Sequence, residues 1–266
     1  MKAKIIFLLL LPVMLVAFGC ATNPISGKSQ LMLFSEEQDI ELGKSYAPEV
    51  EKEMGGKIQN LTLQNYIDGV GQKVARVSHK PYFDFHYTAL EDEMVNAFAL
   101  PGGYIFITRG MLEKLDNEAQ LASVLAHETT HVVARHSSAQ ISREIGIEVA
   151  LSVASSKTSG GAMQVAGIAR QMIGLSYSRS QEKEADLGGL DYMVKAGYDP
   201  QAMVQTMQML EAEDKNGQIE FLSTHPSPEN RVQYISRTIV ERGYQNLNLR
   251  IGKEDYHKFV LDELKP

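Results

Sequence analysis

The stretch from Leu121 to Gln140, LASVLAHETTHVVARHSSAQ, limits what this chain can fold into more than any other. From Ala119 to Ala134 nearly every residue outside its centre is apolar or small, which predicts a helix enclosed on all sides. Yet His127, Glu128 and His131 occupy that centre. An unpaired buried carboxylate is very costly, so the fold must bring a compensating charge to Glu128. At helical spacing Leu121, Leu125, Glu128 and Val132 share one stripe, and Ser123, His127, Thr130, His131 and Ala134 the next. His127 and His131 therefore project from one face, a turn apart, where both imidazoles can meet one ion. Glu128, turned by about 100°, is poorly placed to ligate with them and well placed to reach a water on that ion. This is the mechanical content of H-E-x-x-H, and zinc is the cation that favours neutral imidazole donors, at about 2.0–2.1 Å. The bland alternative is a hydrogen-bonded pair of core histidines.

A catalytic zinc usually has three protein ligands and one open position. The extended pattern with Gly seven and His ten residues after the first histidine fails here, because Ala134 and Ser137 hold those places. His136 is one residue off and is expected to be structural. Downstream, YSRSQEKEADLGGLDYM offers Glu182, Glu184 and Asp186. Glu182 and Asp186 share a helical face, while Glu184 is turned about 200° from Glu182. One acid on the metal and one behind it, orienting an imidazole, is the expected division of labour. A solvated acidic face is the alternative that spacing leaves open.

The flanking sequence predicts an α+β fold, mainly helical with a small sheet. Ser35 is set to cap a helix with acids in its first turn, and Leu61 to Val77 has helical spacing. YFDFHYTAL alternates, and NAFALPGGYIFIT reads as two short strands around Pro-Gly-Gly. Asp116 or Asn117 can cap the central helix, Asn117 with Gln120 approximating a capping box. Residues 145–175 suggest two helices around a hinge at Ser159-Gly160-Gly161, a candidate lid. Lys157, Gln164 and Arg170 interrupt its apolar runs, so it is not expected to span a membrane. Residues 180–266 read as mostly helical, with a Pro-bounded loop at THPSPEN.

At the N-terminus Lys2 and Lys4 precede an apolar run from Ile5 to Phe18, which as a helix would be about 21 Å long. That is short for a membrane anchor and right for a secretory signal, giving a division into 1–19 signal peptide, 20–34 tether and 35–266 catalytic domain. The lone cysteine, Cys20, closes AFGC, which resembles the bacterial lipobox although Ala17 and Phe18 depart from it; the resemblance implies a lipidated Cys20. Ala21 after it fits delivery to the outer membrane. Removing residues 1–19 takes away two lysines and no acid, moving the net charge from -7 to -9. With no basic run either, nucleic acid is not an expected partner.

HETTH, YSRSQEKEAD and STHPSPENR, in that order, resemble the zinc metallopeptidases typified by HtpX, BepA, LoiP and the CAAX prenyl proteases, over about Leu31 to Arg231. The resemblance implies His127, His131 and Glu182 as zinc ligands, one ion per chain, Glu128 as general base and Asp186 behind a ligating imidazole. It implies that NAFALPGG is an edge strand along the active-site cleft, with Asn96, Ala97 and Phe98 contacting substrate backbone. His225 and Arg231 match residues that face the oxyanion, and in some relatives the equivalent histidine instead fills the open metal position. The chain lacks the membrane helices of the HtpX and CAAX branches and the helical repeats of the BepA branch, and looks most like the LoiP-type envelope lipoproteins. The implied activity is endopeptidase cleavage of misfolded envelope proteins. The rivals are a zinc-containing chaperone or assembly factor with latent, self-blocked activity, and a hydrolase of cell-wall amides.

Overall fold

The computed structural model describes residues 20–144, 173–214, 219–227 and 230–265. The expected signal peptide and most of the expected lid lie outside them. The chain opens with two short antiparallel strands, β1 (Cys20–Thr22) and β2 (Ser29–Leu31). The stretch read from composition as a tether is thus a ribbon fastened to the body: Gln30 donates its side-chain amide to the Ala134 carbonyl at 2.8 Å, and the Leu33 amide bonds Ser142 Oγ at 2.9 Å. Helix α1 (Glu36–Glu53) follows with the capping box expected at Ser35, where the Ser35 and Gln38 side chains each bond the other's backbone amide. Helix α2 (Leu61–Ala75) is capped by Asn60, whose side chain accepts from the Leu63 amide.

Three strands follow: β3 (His86–Leu90), β4 (Ala97–Ala99) and β5 (Tyr104–Thr108). They lie in the order β3-β5-β4, with β3 parallel and β4 antiparallel to β5, so β4 is an edge strand. Strand periodicity explains why both faces are apolar. Ala97, Ala99, Ile105 and Ile107 point into the main core, while Phe98, Phe106 and Leu100 point the other way against Ala47 and Val50 of α1. The Phe98–Phe106 pair faces across the strands with ring centres 5.3 Å apart. The hairpin loop Pro101-Gly102-Gly103 turns through φ 79° at Gly102, where a Cβ would lie 2.6 Å from backbone atoms of α1.

A short helix α3 (Arg109–Lys114) leads into α4 (Glu118–Val133), the predicted enclosed helix; every residue in it is buried. Asn117 is its cap, accepting from the Gln120 amide at 2.9 Å, while Gln120 Oε1 reaches back to the Asp116 amide at 2.7 Å, one residue short of a full capping box. Packed on α4 are α5 (Arg179–Lys195) and α6 (Gln201–Glu213); α7 (Glu220–Thr224) brings Phe221 to His127, α8 (Arg231–Glu241) lies on α5 and α6, and α9 (Lys253–Tyr256), continued by a π-helical turn (His257–Leu261), touches α4. The fold is α+β and mainly helical. Among the described residues no helix is long and apolar enough to cross a membrane.

Candidate active site

Two glycines bring α5 to α4. A Cβ at Gly189 would stand 3.0 Å from the His127 backbone nitrogen, and one at Gly188 would stand 2.8 Å from Thr130 Cγ2. Any side chain there would push the helices apart. The close approach seats Glu182 and Asp186, one turn apart on α5, against the His127–His131 face of α4, and all four side chains are fully buried.

His127 Nε2 and His131 Nε2 lie 3.0 Å apart. Glu182 Oε2 lies 3.4 Å from His127 Nε2, and Glu182 Oε1 lies 3.4 Å from His131 Nε2. His225, capping the C-terminus of α7, adds a fourth donor: its Nδ1 is 3.3 Å from His127 Nε2 and 3.0 Å from Glu182 Oε1. Donors around a tetrahedral zinc, with bonds of about 2.0–2.1 Å, stand about 3.3–3.4 Å from one another. The spacing of these four groups fits such an ion, and the two-imidazole, one-carboxylate core of the set is chemistry that zinc favours. Electrostatics favour a metal at Glu182 and His131, whereas at His127 burial lowers the pKa but the neighbouring Asp186 and Glu182 outweigh it and raise it. Burial works against a charged Glu182, yet the surrounding His225, His127 and His131 hold its carboxyl well below the usual range. Burial sends His131 well below an ordinary histidine, leaving the neutral imidazole that a metal requires.

Glu128 is the group left over. Both carboxylate oxygens are buried without a hydrogen-bond partner, and the nearest cation-capable group is His225 Nε2 at 3.6 Å. Burial pushes its pKa up to about 8, with His225 and Arg231 opposing and Glu182 adding to the rise. A buried carboxylate aimed beside a donor set, unused by the protein itself, is what a base acting on a bound water requires.

Asp186 sits behind His127, with Oδ1 3.0 Å from Nδ1 at an angle too skewed for a good hydrogen bond. Arg231 grips the same carboxylate in a two-pronged contact, Nε to Oδ2 at 2.9 Å and Nη2 to Oδ1 at 2.6 Å, and Tyr234 donates its hydroxyl to it. Arg231 was expected to face the oxyanion. Most of its guanidinium is instead committed to Asp186, with Nη2 also 3.4 Å from Glu182 Oε2, and only the buried Nη1 has no partner. The edge strand is where the hairpin motif put it, but Ala97 and Phe98 bury their side chains in the core, leaving backbone as what they can offer a substrate. The Asn96 side-chain amide is fully buried with both polar atoms unpartnered.

Sequence reasoning missed two aromatic walls. Tyr177 stacks on the His131 ring with centres 3.9 Å apart and bonds Ser137 Oγ through its hydroxyl; Phe221 stacks on His225 at 4.4 Å. Tyr177 opens the YSRSQEKEAD motif but meets His131 only through tertiary packing, whereas Phe221 stands four residues before His225 at the same helix end, a local spacing that could have pointed to it.

Residues 61–239 match the sequence profile of peptidase family M48. The chain belongs to family M48. The helix, acids and downstream histidine above all fall inside the matched region. The β-barrel assembly-enhancing protease of Escherichia coli K12 is 30% identical over 225 residues, covering 79% of this chain and 46% of that protein. The mitochondrial metalloendopeptidase OMA1 of Schizosaccharomyces pombe is 33% identical over 226 residues, covering 82% and 66%. OMA1 of Saccharomyces cerevisiae is 27% identical over 236 residues, covering 80% and 67%. The M48 chain thus spans about half the length of the bacterial relative and two thirds of the yeast ones.

Proposed function

We propose that this M48 chain is a zinc-dependent endopeptidase of the bacterial cell envelope that cleaves extended, misfolded protein segments. The observation that carries the reading is the convergence of His127, His131 and Glu182 beside an unpartnered Glu128 in a fully buried site. A zinc ion held by those three donors would supply Lewis acidity, polarising the scissile carbonyl and lowering the pKa of a coordinated water from 15.7 towards about 7. Glu128 takes the proton of the attacking water and returns it to the leaving amine. A cation next to Glu128 also draws its pKa back down, so the carboxylate is ionised when it is needed. Arg231 Nη1 is the donor left for the developing oxyanion, while the rest of that side chain keeps Asp186 and Glu182 in place. Strand β4 offers an edge on which a substrate can add as a strand, with the idle Asn96 amide beside it.

The envelope location rests on the signal-like residues 1–19 and on Cys20, exposed at the start of β1, as the point of lipid attachment facing the outer membrane. The bacterial relative's name links it to β-barrel assembly, which supports misfolded envelope proteins as substrates. A second reading is favoured by His225 standing within the donor set: in this conformation it fills the position a water would need, the mark of a self-blocked resting enzyme.

Metal removal tests the proposal. Dialysis against a zinc chelator is expected to abolish cleavage of a casein-type substrate, and one equivalent of zinc to restore it. Cleavage that survives chelation would contradict the metal mechanism.

A further inference from the structure

His131 is held from behind by a chain of side chains that the catalytic reading leaves unused. Its Nδ1, the ring nitrogen turned away from the donor set, lies 3.0 Å from His136 Nδ1. His136 Nε2 in turn faces Glu184 Oε1 at 3.6 Å, and neither of those two atoms has a hydrogen-bond partner elsewhere. The side chains of Asn23 and Ser26, in the turn between β1 and β2, hydrogen-bond the Glu184 carboxylate. His136 is itself 1% exposed.

Backbone geometry puts His136 there. Helix α4 ends at Val133, and Arg135 takes the left-handed conformation (φ 56°), turning the chain so that the next residue faces back to His131. That conformation is unfavourable for a residue with a Cβ. It is fixed from outside: Arg135 Nε bonds Asp39 Oδ2 at 2.6 Å and its Nη2 bonds the Phe34 carbonyl at 2.8 Å. A strained turn anchored at two points, presenting one buried imidazole to another, reads as a built device.

Proton counting gives the chain a direction. To offer the Nε2 lone pair to a metal, His131 must carry its proton on Nδ1 and donate it. His136 Nδ1 then accepts, which places the His136 proton on Nε2, facing a carboxylate. We propose that His136, backed by Glu184 and the N-terminal ribbon, is a positioning residue that fixes the tautomer and orientation of His131. The proposal rests on the reading of His131 as a metal ligand. Groups that orient a ligating imidazole in this way typically contribute 10–100-fold to metal affinity.

The test is zinc affinity by chelator competition, together with the visible absorption of the cobalt-loaded protein, in full-length wild type, His136→Leu and His136→Asn. Leucine cannot accept the His131 proton, and zinc should bind 10–100-fold more weakly with a shifted cobalt spectrum. Asparagine, whose Oδ1 takes the place of Nδ1, should stay within about threefold of wild type. Equal losses in both variants, or no loss in either, would overturn the proposal. If the leucine variant does not fold, Glu184→Leu carries the same test: weaker zinc with an unchanged melting temperature after chelation supports it, and unchanged affinity overturns it. Failure of the underlying reading is distinct, since wild type would then bind no stoichiometric zinc.

Discussion

Glu128→Gln should lower kcat for peptide cleavage by about 10²–10⁴-fold, the usual contribution of a general base, while zinc content stays at one ion per chain. The two halves of this expectation come from different facts. The carboxylate oxygens of Glu128 stand outside the donor set formed by His127, His131, Glu182 and His225, so removing the charge takes nothing from the metal. The same oxygens have no hydrogen-bond partner, so no structural contact is lost with them. Glutamine fills the same space and cannot take a proton. Steady-state kinetics and metal analysis on one preparation decide the matter. Loss of zinc would make Glu128 a ligand, and full activity would remove it from the mechanism. Retained binding of unfolded protein with no cleavage in wild type would favour the chaperone alternative.

The same substitution should stabilise the metal-free protein, increasingly so as pH rises. Burial raises the Glu128 pKa from 4.5 to about 8, so the folded chain holds that proton more tightly than the unfolded one. The stability tied to the protonated form is intact below about pH 4.5, declines as pH rises, and is fully lost above about pH 8. At about 1.4 kcal/mol per pH unit the whole span comes to about 5 kcal/mol. Glutamine does not titrate and escapes this loss. Urea unfolding of chelator-treated proteins should therefore give similar stabilities for wild type and Glu128→Gln near pH 5 and a gap of several kcal/mol near pH 8. Zinc should narrow the gap, because it supplies the charge that Glu128 lacks. A gap that does not change between pH 5 and 8 would mean that Glu128 is not the buried, unpartnered acid described above.

The parts of the molecule legible in the sequence are those set by local spacing. The i, i+4 pair His127 and His131, the Glu182–Asp186 turn, the Ser35 capping box and the Pro-Gly-Gly hairpin are all statements about residues within a few positions of each other. Family resemblance supplied the rest of the donor set, and the structure brings those side chains within reach. What stayed hidden depends on contacts distant along the chain. Strands of three residues have almost no periodicity to read, and the ribbon after Cys20 exists because Gln30 and Leu33 bond residues more than 100 positions away. The contact between His136 and His131 hinges on a left-handed Arg135 that nothing in its own neighbourhood demands, since Asp39 and Phe34 hold it. Arg231 was matched to an oxyanion role by motif, but its partner choice was decided by where α8 lays it: across Asp186.

Diffraction from crystals of the zinc-loaded protein at the zinc absorption edge would test the central claim most directly. The account predicts one anomalous peak per chain, about 2.0–2.2 Å from His127 Nε2, His131 Nε2 and a Glu182 oxygen, with Glu128 beside it and not bound to it. A peak elsewhere, or one that leaves Glu182 beyond coordination reach of the paired imidazoles, would contradict it.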